Sequence, residues 1–152
     1  MPGIASPVEI LFVDDSVAHV RIAHEAFAGD GVPPHRLTIA STGKEALDRL
    51  ARRTPFETAE RPDVVLLDLD LPVISGLDVL SAVKTSHDLR SIPVVVLVRS
   101  PRAGDLAECY ERGANSVVEY PIPLEELAET FRRVVFYWGR VNARARRDGS
   151  AP

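Results

Sequence analysis

Three aspartates in this chain are placed to do chemistry together. Asp68 closes a short apolar run, Val64-Val-Leu-Leu67, within Arg61-Pro-Asp-Val-Val-Leu-Leu-Asp-Leu-Asp-Leu-Pro72. A continuous apolar run of that length reads as a strand buried on both faces, as in the middle of a parallel sheet. An earlier run, Val8 to Val13, ends in a second acidic group, Asp14-Asp15. Ligands and chemistry in open α/β sheets collect at the carboxyl ends of strands. If the two strands are parallel neighbours, three carboxylates converge on one spot. Like charges so close raise one another's pKa unless a cation joins them. A hard divalent ion, Mg²⁺ first, suits such an oxygen cluster in company with a phosphate. A carboxylate can also attack phosphorus and form an aspartyl phosphate. The set therefore points to Mg²⁺-assisted phosphoryl transfer onto Asp68. Taken singly, each Asp would be a turn residue or a helix cap.

The elements that must hold these residues follow in chain order. After the Val8–Val13 strand, Ser16 can cap a helix with Val17, Val20, Ala23 and Phe27 as apolar positions, ended by Gly29 or Gly31. Residues 36–40 form a short second strand, and Thr42-Gly-Lys-Glu45 has capping-box spacing before a helix carrying Ala46, Leu47 and Leu50. A polar loop, residues 54–61, leads into the central strand. Ser75-Gly-Leu-Asp78 opens a third helix, with Leu77, Leu80 and Val83 inward. Residues 93–98 make the fourth strand. Ser100-Pro101 reads as a cap followed by Pro in a first turn, starting a helix that holds Leu106, Ala107 and Tyr110 and stops at Gly113. A weaker fifth strand spans 115–119. The last helix starts at Pro123 and steps through Leu124, Leu127, Phe131, Val134, Trp138 and Val141. Strand then helix, five times over, implies a doubly wound parallel α/β sheet with helices on both faces.

Composition narrows the setting. The chain has 152 residues, enough for one domain with a real core. It divides into a flexible start at 1–7, a domain at 8–142 and a basic, disordered tail at 143–152. Eighteen Lys and Arg against 22 Asp and Glu leave a net charge of −4, which disfavours nucleic acid as a bulk partner. The basic tail, with Arg140, Arg144, Arg146 and Arg147, is a short patch best read as a solvated helix end. Cys109 is the sole cysteine, so an internal disulfide is excluded and a reducing cytoplasm is expected. Neither a signal peptide nor a membrane span is expected. His19 and His24 are five apart, on different helix faces, and do not make a zinc site.

The ordered set of motifs resembles the receiver domain of two-component response regulators. Its parts are Asp14-Asp15, Asp68, Leu71-Pro72 with Gly76, Ile92-Pro93-Val-Val-Val, and Gly113-Ala114 leading to Tyr120-Pro121. The resemblance runs from Val8 to about Val141. It implies a flavodoxin-like five-stranded sheet in the order 2-1-3-4-5 and Asp68 as phosphoacceptor. It also implies a Mg²⁺ site of Asp15, Asp68 and the Asp70 backbone carbonyl, with Asp14 acting through water, and a cis bond before Pro121. The partner implied is a histidine kinase; the Asp-Leu-Asp-Leu-Pro and Phe136-Tyr137-Trp138 segments are similar to small receivers that accompany phytochrome-type kinases. With no output domain in the sequence, signalling by protein docking is expected rather than turnover chemistry. Phe136, Tyr137 and Trp138 are expected at a homodimer contact.

Two positions depart from the family pattern. Val98 stands where a Thr or Ser hydroxyl would contact the phosphoryl group, and Tyr120 where a Lys ammonium would pair with it. Val98 donates no hydrogen bond, and Tyr120 carries no positive charge at neutral pH. Arg99 is the nearest substitute cation, although alternation along a strand can aim it elsewhere. Two other readings fit parts of the chain. A pseudo-receiver would keep the fold as a binding module without phosphate, as Val98 and Tyr120 favour. An aspartate-nucleophile phosphatase of the haloacid dehalogenase group would use Asp68-Leu-Asp70, but there the second acidic pair lies downstream.

Overall fold

The computed structural model describes residues 6–120 and 123–145. Strand and helix alternate as β1 (Val8–Val13), α1 (Val17–Phe27), β2 (His35–Ala40), α2 (Gly43–Leu50), β3 (Val64–Asp68), α3 (Gly76–Thr85), β4 (Val94–Val98), α4 (Asp105–Glu111), β5 (Ser116–Glu119) and α5 (Leu124–Phe136). A π-helical turn, Tyr137–Val141, continues α5. The five strands form one parallel sheet in the order β2-β1-β3-β4-β5, as the resemblance implied.

Strand alternation sorts the apolar residues into two cores. Leu11, Val13, Val65, Leu67, Val94, Val96 and Val98 face α2, α3 and α4. Ile10, Phe12, Val64, Leu66, Val95 and Leu97 face α1 and α5, whose Ala23, Phe27, Leu127 and Phe131 close that side. The three central strands are apolar toward both layers, which is why their sequences do not alternate. Phe12 and Phe131 meet edge-to-face at 5.4 Å in the second core.

Local caps fix the helix starts. Ser16, Thr42 and Ser75 each accept the backbone N–H three residues on, from His19, Glu45 and Asp78. The box at α2 is offset at its return arm: Glu45 takes the N–H of Ser41, at 2.8 Å, rather than that of Thr42. At the turn after β3 a glycine is obligatory. A Cβ on Gly76 would meet the carbonyl oxygen of Asp68 and, at 2.8 Å, that of Leu69. This close approach lets the Gly76 N–H bond the Leu69 carbonyl and folds the loop back beneath Asp68.

The structure corrects three expectations. Helix α4 begins at Asp105, not at Ser100-Pro101. Ser100 is left-handed, with φ of 52°, and Gly104, also left-handed at φ of 88°, precedes the first turn without a side-chain cap bond. At the other end, Leu124 is half-exposed, so the buried stripe of α5 is Leu127, Phe131, Val134 and Val135. Trp138 is only 9% exposed and belongs to the α1–α5 core rather than to an outer surface, whereas Phe136 and Tyr137 are 49% and 48% exposed. Trp138 continues the buried face of α5 at helical spacing from Phe131 and Val134; the π turn begins just before it, and the Asn142 N–H reaches the Tyr137 carbonyl five residues back. Arg144 bonds Asp63 at 3.2 Å and the Ser6 and Pro7 carbonyls. Pro121, Arg146 and Arg147 lie outside the described residues, and with Pro121 the expectation of a cis bond.

Candidate functional site

The register of β1 on β3 assembles the acidic cluster. Val13 is paired with Leu67, so the next residues, Asp14 and Asp68, emerge side by side at the carboxyl edge. Their parity puts both on the α1–α5 side of the sheet. Carboxylate oxygens of Asp14, Asp15 and Asp68 all lie within 4.8 Å of one another. Asp14 and Asp68 are buried and Asp15 is exposed to solvent, an arrangement open on one side to an incoming ligand.

The electrostatics follow from that geometry. Burial, then the charge of Asp14, push the Asp68 carboxyl up to about 7; the Asp70 N–H, 3.2 Å from Asp68 Oδ1, opposes the rise. Burial also raises Asp14, opposed by its bonds to Ser16 and His19. The raised pKa values of Asp14 and Asp68 mark a concentration of negative charge at this edge. Hard oxygen donors with one exposed face and surplus negative charge fit a divalent cation of the Mg²⁺ type.

Val98 and Tyr120 lie in adjacent strands, and the Tyr120 N–H bonds the Val98 carbonyl at 2.9 Å. Their side chains go to opposite layers. Val98 is buried in the α2–α3–α4 core, while the Tyr120 ring, 6% exposed, is buried in the α1–α5 core on the same side as Asp68. Burial, with Asp68 and Asp14 close by, pushes the Tyr120 phenol up to about 12; the positive charge of Arg99 pulls the other way.

One site residue went unread in the sequence. His19, in the first turn of α1, places Nδ1 2.8 Å from Asp14 Oδ2 and its ring edge-to-face on Tyr120 at 5.4 Å. A signal was present. Cβ atoms tilt toward a helix N-terminus, so a residue three past the Ser16 cap leans back toward the chain that enters the helix. That chain is Asp14-Asp15.

Comparison with known proteins agrees with the fold. The family model of the response regulator receiver domain matches residues 10–132. FilR2, a probable methanogenesis regulatory protein of Methanothrix harundinacea, is 39% identical over 132 residues, 87% of this chain and 84% of its own length. Response regulator Rcp1 of a Synechocystis species is 33% identical over 87% of this chain and 89% of its own. The phosphorylated cyanobacterial phytochrome response regulator RcpA superposes with a TM-score of 0.87 at 30% identity, over 93% of this chain and 100% of its own. The Mn²⁺-bound form of Rcp1 superposes at 0.86 with 31% identity, over 92% of this chain and 100% of its own. With its sheet order, its acidic edge and these matches, the chain belongs to the family of response regulator receiver domains.

Proposed function

We propose that this chain accepts a phosphoryl group from a histidine kinase onto Asp68 and signals by docking to another protein, without turnover chemistry of its own. The observation that carries the reading is the convergence of Asp14, Asp15 and Asp68 within 4.8 Å at the carboxyl edge of the sheet. An Asp68 carboxylate oxygen attacks phosphorus, the bond from phosphorus to the donor's leaving group breaks, and an acyl phosphate results. Asp15, Asp68 and the Asp70 carbonyl would hold Mg²⁺ directly and Asp14 through water. When bound, the ion supplies positive charge to this acidic edge. RcpA is a phytochrome response regulator by name, which supports a phytochrome-type kinase as the donor. A cytoplasmic setting goes with this reading, and no helix among the described residues is long and apolar enough to cross a membrane.

Exposed Phe136 and Tyr137 at the end of α5 support a homodimer contact there; Trp138, being core, would act only by shaping that end. The second reading, a phosphate-independent pseudo-receiver, draws on Val98 and Tyr120. Incubation with Mg²⁺ and acetyl phosphate, followed by intact mass, separates the two. One added phosphoryl group, absent with EDTA and absent in Asp68→Asn, is expected. A wild-type chain of unchanged mass would favour the pseudo-receiver.

A further inference from the structure

The acidic cluster has one side-chain hydrogen-bond partner among the described residues, and it is His19. Asp14 accepts from His19 Nδ1 at 2.8 Å through Oδ2 and from the Ser16 backbone N–H at 2.7 Å through Oδ1. Both oxygens of Asp14 are thus engaged inside the protein. Among the described residues, the Asp68 carboxylate has one hydrogen bond, from the Asp70 backbone N–H. The imidazole is largely buried, with 12% of its side chain exposed, and sits between two groups: the Asp14 carboxylate on one side and the Tyr120 ring on the other. The Tyr120 ring is buried in the α1–α5 core, the side of the sheet on which Asp68 also lies.

We propose that His19 is a positioning residue for phosphoryl transfer at Asp68. Its Nδ1–H holds Asp14 and draws off part of its charge, and its ring fixes Tyr120 on the acceptor carboxylate's side of the sheet. The proposal rests on the receiver reading given above. Two consequences follow. Asp14 is oriented by His19 and Ser16, which leaves direct metal coordination to Asp15 and Asp68 and gives Asp14 a water-mediated place. An anionic phosphodonor approaching Asp68 also meets less uncompensated negative charge, because a hydrogen bond to a carboxylate disperses its charge. The competing explanation is a plain stabilising contact at the start of α1, which would hold the helix and do nothing to the chemistry.

Two substitutions divide the roles of His19 in the full chain. His19→Phe keeps a ring against Tyr120 and removes the N–H; His19→Asn keeps an N–H at the δ position and removes the ring. Calorimetry gives the Mg²⁺ affinity, intact mass gives the rate of labelling by acetyl phosphate at saturating Mg²⁺, and thermal melts establish that each variant folds. For His19→Phe the expected result is Mg²⁺ binding several-fold tighter, because the full Asp14 charge is returned to the cation, with labelling about tenfold slower. For His19→Asn, Mg²⁺ affinity stays near that of the wild type while labelling slows roughly threefold through a less constrained Tyr120. Opposite movements in His19→Phe cannot come from loosened structure, which would weaken both. An unchanged labelling rate in His19→Phe, or a parallel loss of affinity and rate, overturns the proposal. If the wild-type chain takes no phosphoryl group, it is the receiver reading that fails, and the Mg²⁺ affinities still decide whether His19 governs Asp14.

Discussion

Asp68 is held in a state that costs the folded protein free energy, and the cost has a definite pH window. Its carboxyl titrates at about 7 in the fold, through burial and the neighbouring Asp14, but near 3.9 in an unfolded chain. Between those values the folded state keeps a proton that the unfolded state has lost. Stability therefore falls as pH rises from about 4 to about 7, then levels off. Asp68→Asn removes the penalty. In EDTA at pH 8 the variant is expected to be more stable than the wild type by roughly 2–3 kcal/mol, with the gap closing by pH 4. Urea titrations at the two pH values check this, and equal midpoints at pH 8 would mean the charge is already compensated. Adding Mg²⁺ should narrow the gap, since a ligand of the folded state stabilises by mass action. A second residue carries strain rather than charge. Val73, in the loop after Asp68, is fully exposed with φ of 68°. A β-branched residue there clashes with its own backbone and gains no packing in return. Val73→Gly is expected to raise stability by about 1 kcal/mol; a melt that drops instead would mean Val73 makes contacts that its exposure hides.

At the scale of elements, the end of α5 separates what packs from what is left free. Trp138 fills the α1–α5 core, and Gly139 lies so close to Pro33 that an added Cβ would sit 2.8 Å from its ring. Trp138→Ala is expected to destabilise the monomer by roughly 3–5 kcal/mol. Phe136→Ser with Tyr137→Ser should leave its stability within about 0.5 kcal/mol yet abolish any dimer. Denaturation and sedimentation, run on both variants, test the division. A dimer that survives the double substitution would place the contact elsewhere. Much of this architecture was legible in the sequence for a physical reason: buried parallel strands need unbroken apolar runs, and Ser16, Thr42 and Ser75 announce helix starts by their own hydrogen bonds. Where legibility failed, the backbone did something residue type does not encode. Ser100 and Gly104 are both left-handed in the segment before α4, which starts only at Asp105. The acidic cluster was readable because two strand ends repeat one chemistry. His19 was not, because its partners Asp14 and Tyr120 lie in segments joined only by the fold.

For the molecule as a whole, the question is whether an event at Asp68 reaches the surface made by α4, β5 and α5. The sheet gives a short route: Asp68 pairs with Leu97, and Val98 pairs with Glu119, immediately before Tyr120. A ligand shifts a conformational equilibrium only by its difference in affinity for the two states. Any such difference must come from groups that bond the phosphoryl oxygens in one state and not in the other. Val98 offers only methyl groups, already packed in the α2–α3–α4 core, and has no hydroxyl to be drawn across. Tyr120 is wedged in the opposite core against His19 and offers a neutral phenol. Compared with a hydroxyl and an ammonium at these two positions, the available bias falls by one or two charge-assisted hydrogen bonds, on the order of several kcal/mol. The α4–β5–α5 surface is therefore expected to look nearly the same with and without Mg²⁺ and beryllofluoride. Amide hydrogen exchange across residues 94–120 measures this directly. Val98→Thr with Tyr120→Lys should restore a response, seen as altered exchange in α4 and β5 or a longer-lived acyl phosphate. Large shifts in the unmodified chain would show that another group carries the signal, with Arg99, the cation next to Val98, the first residue to substitute.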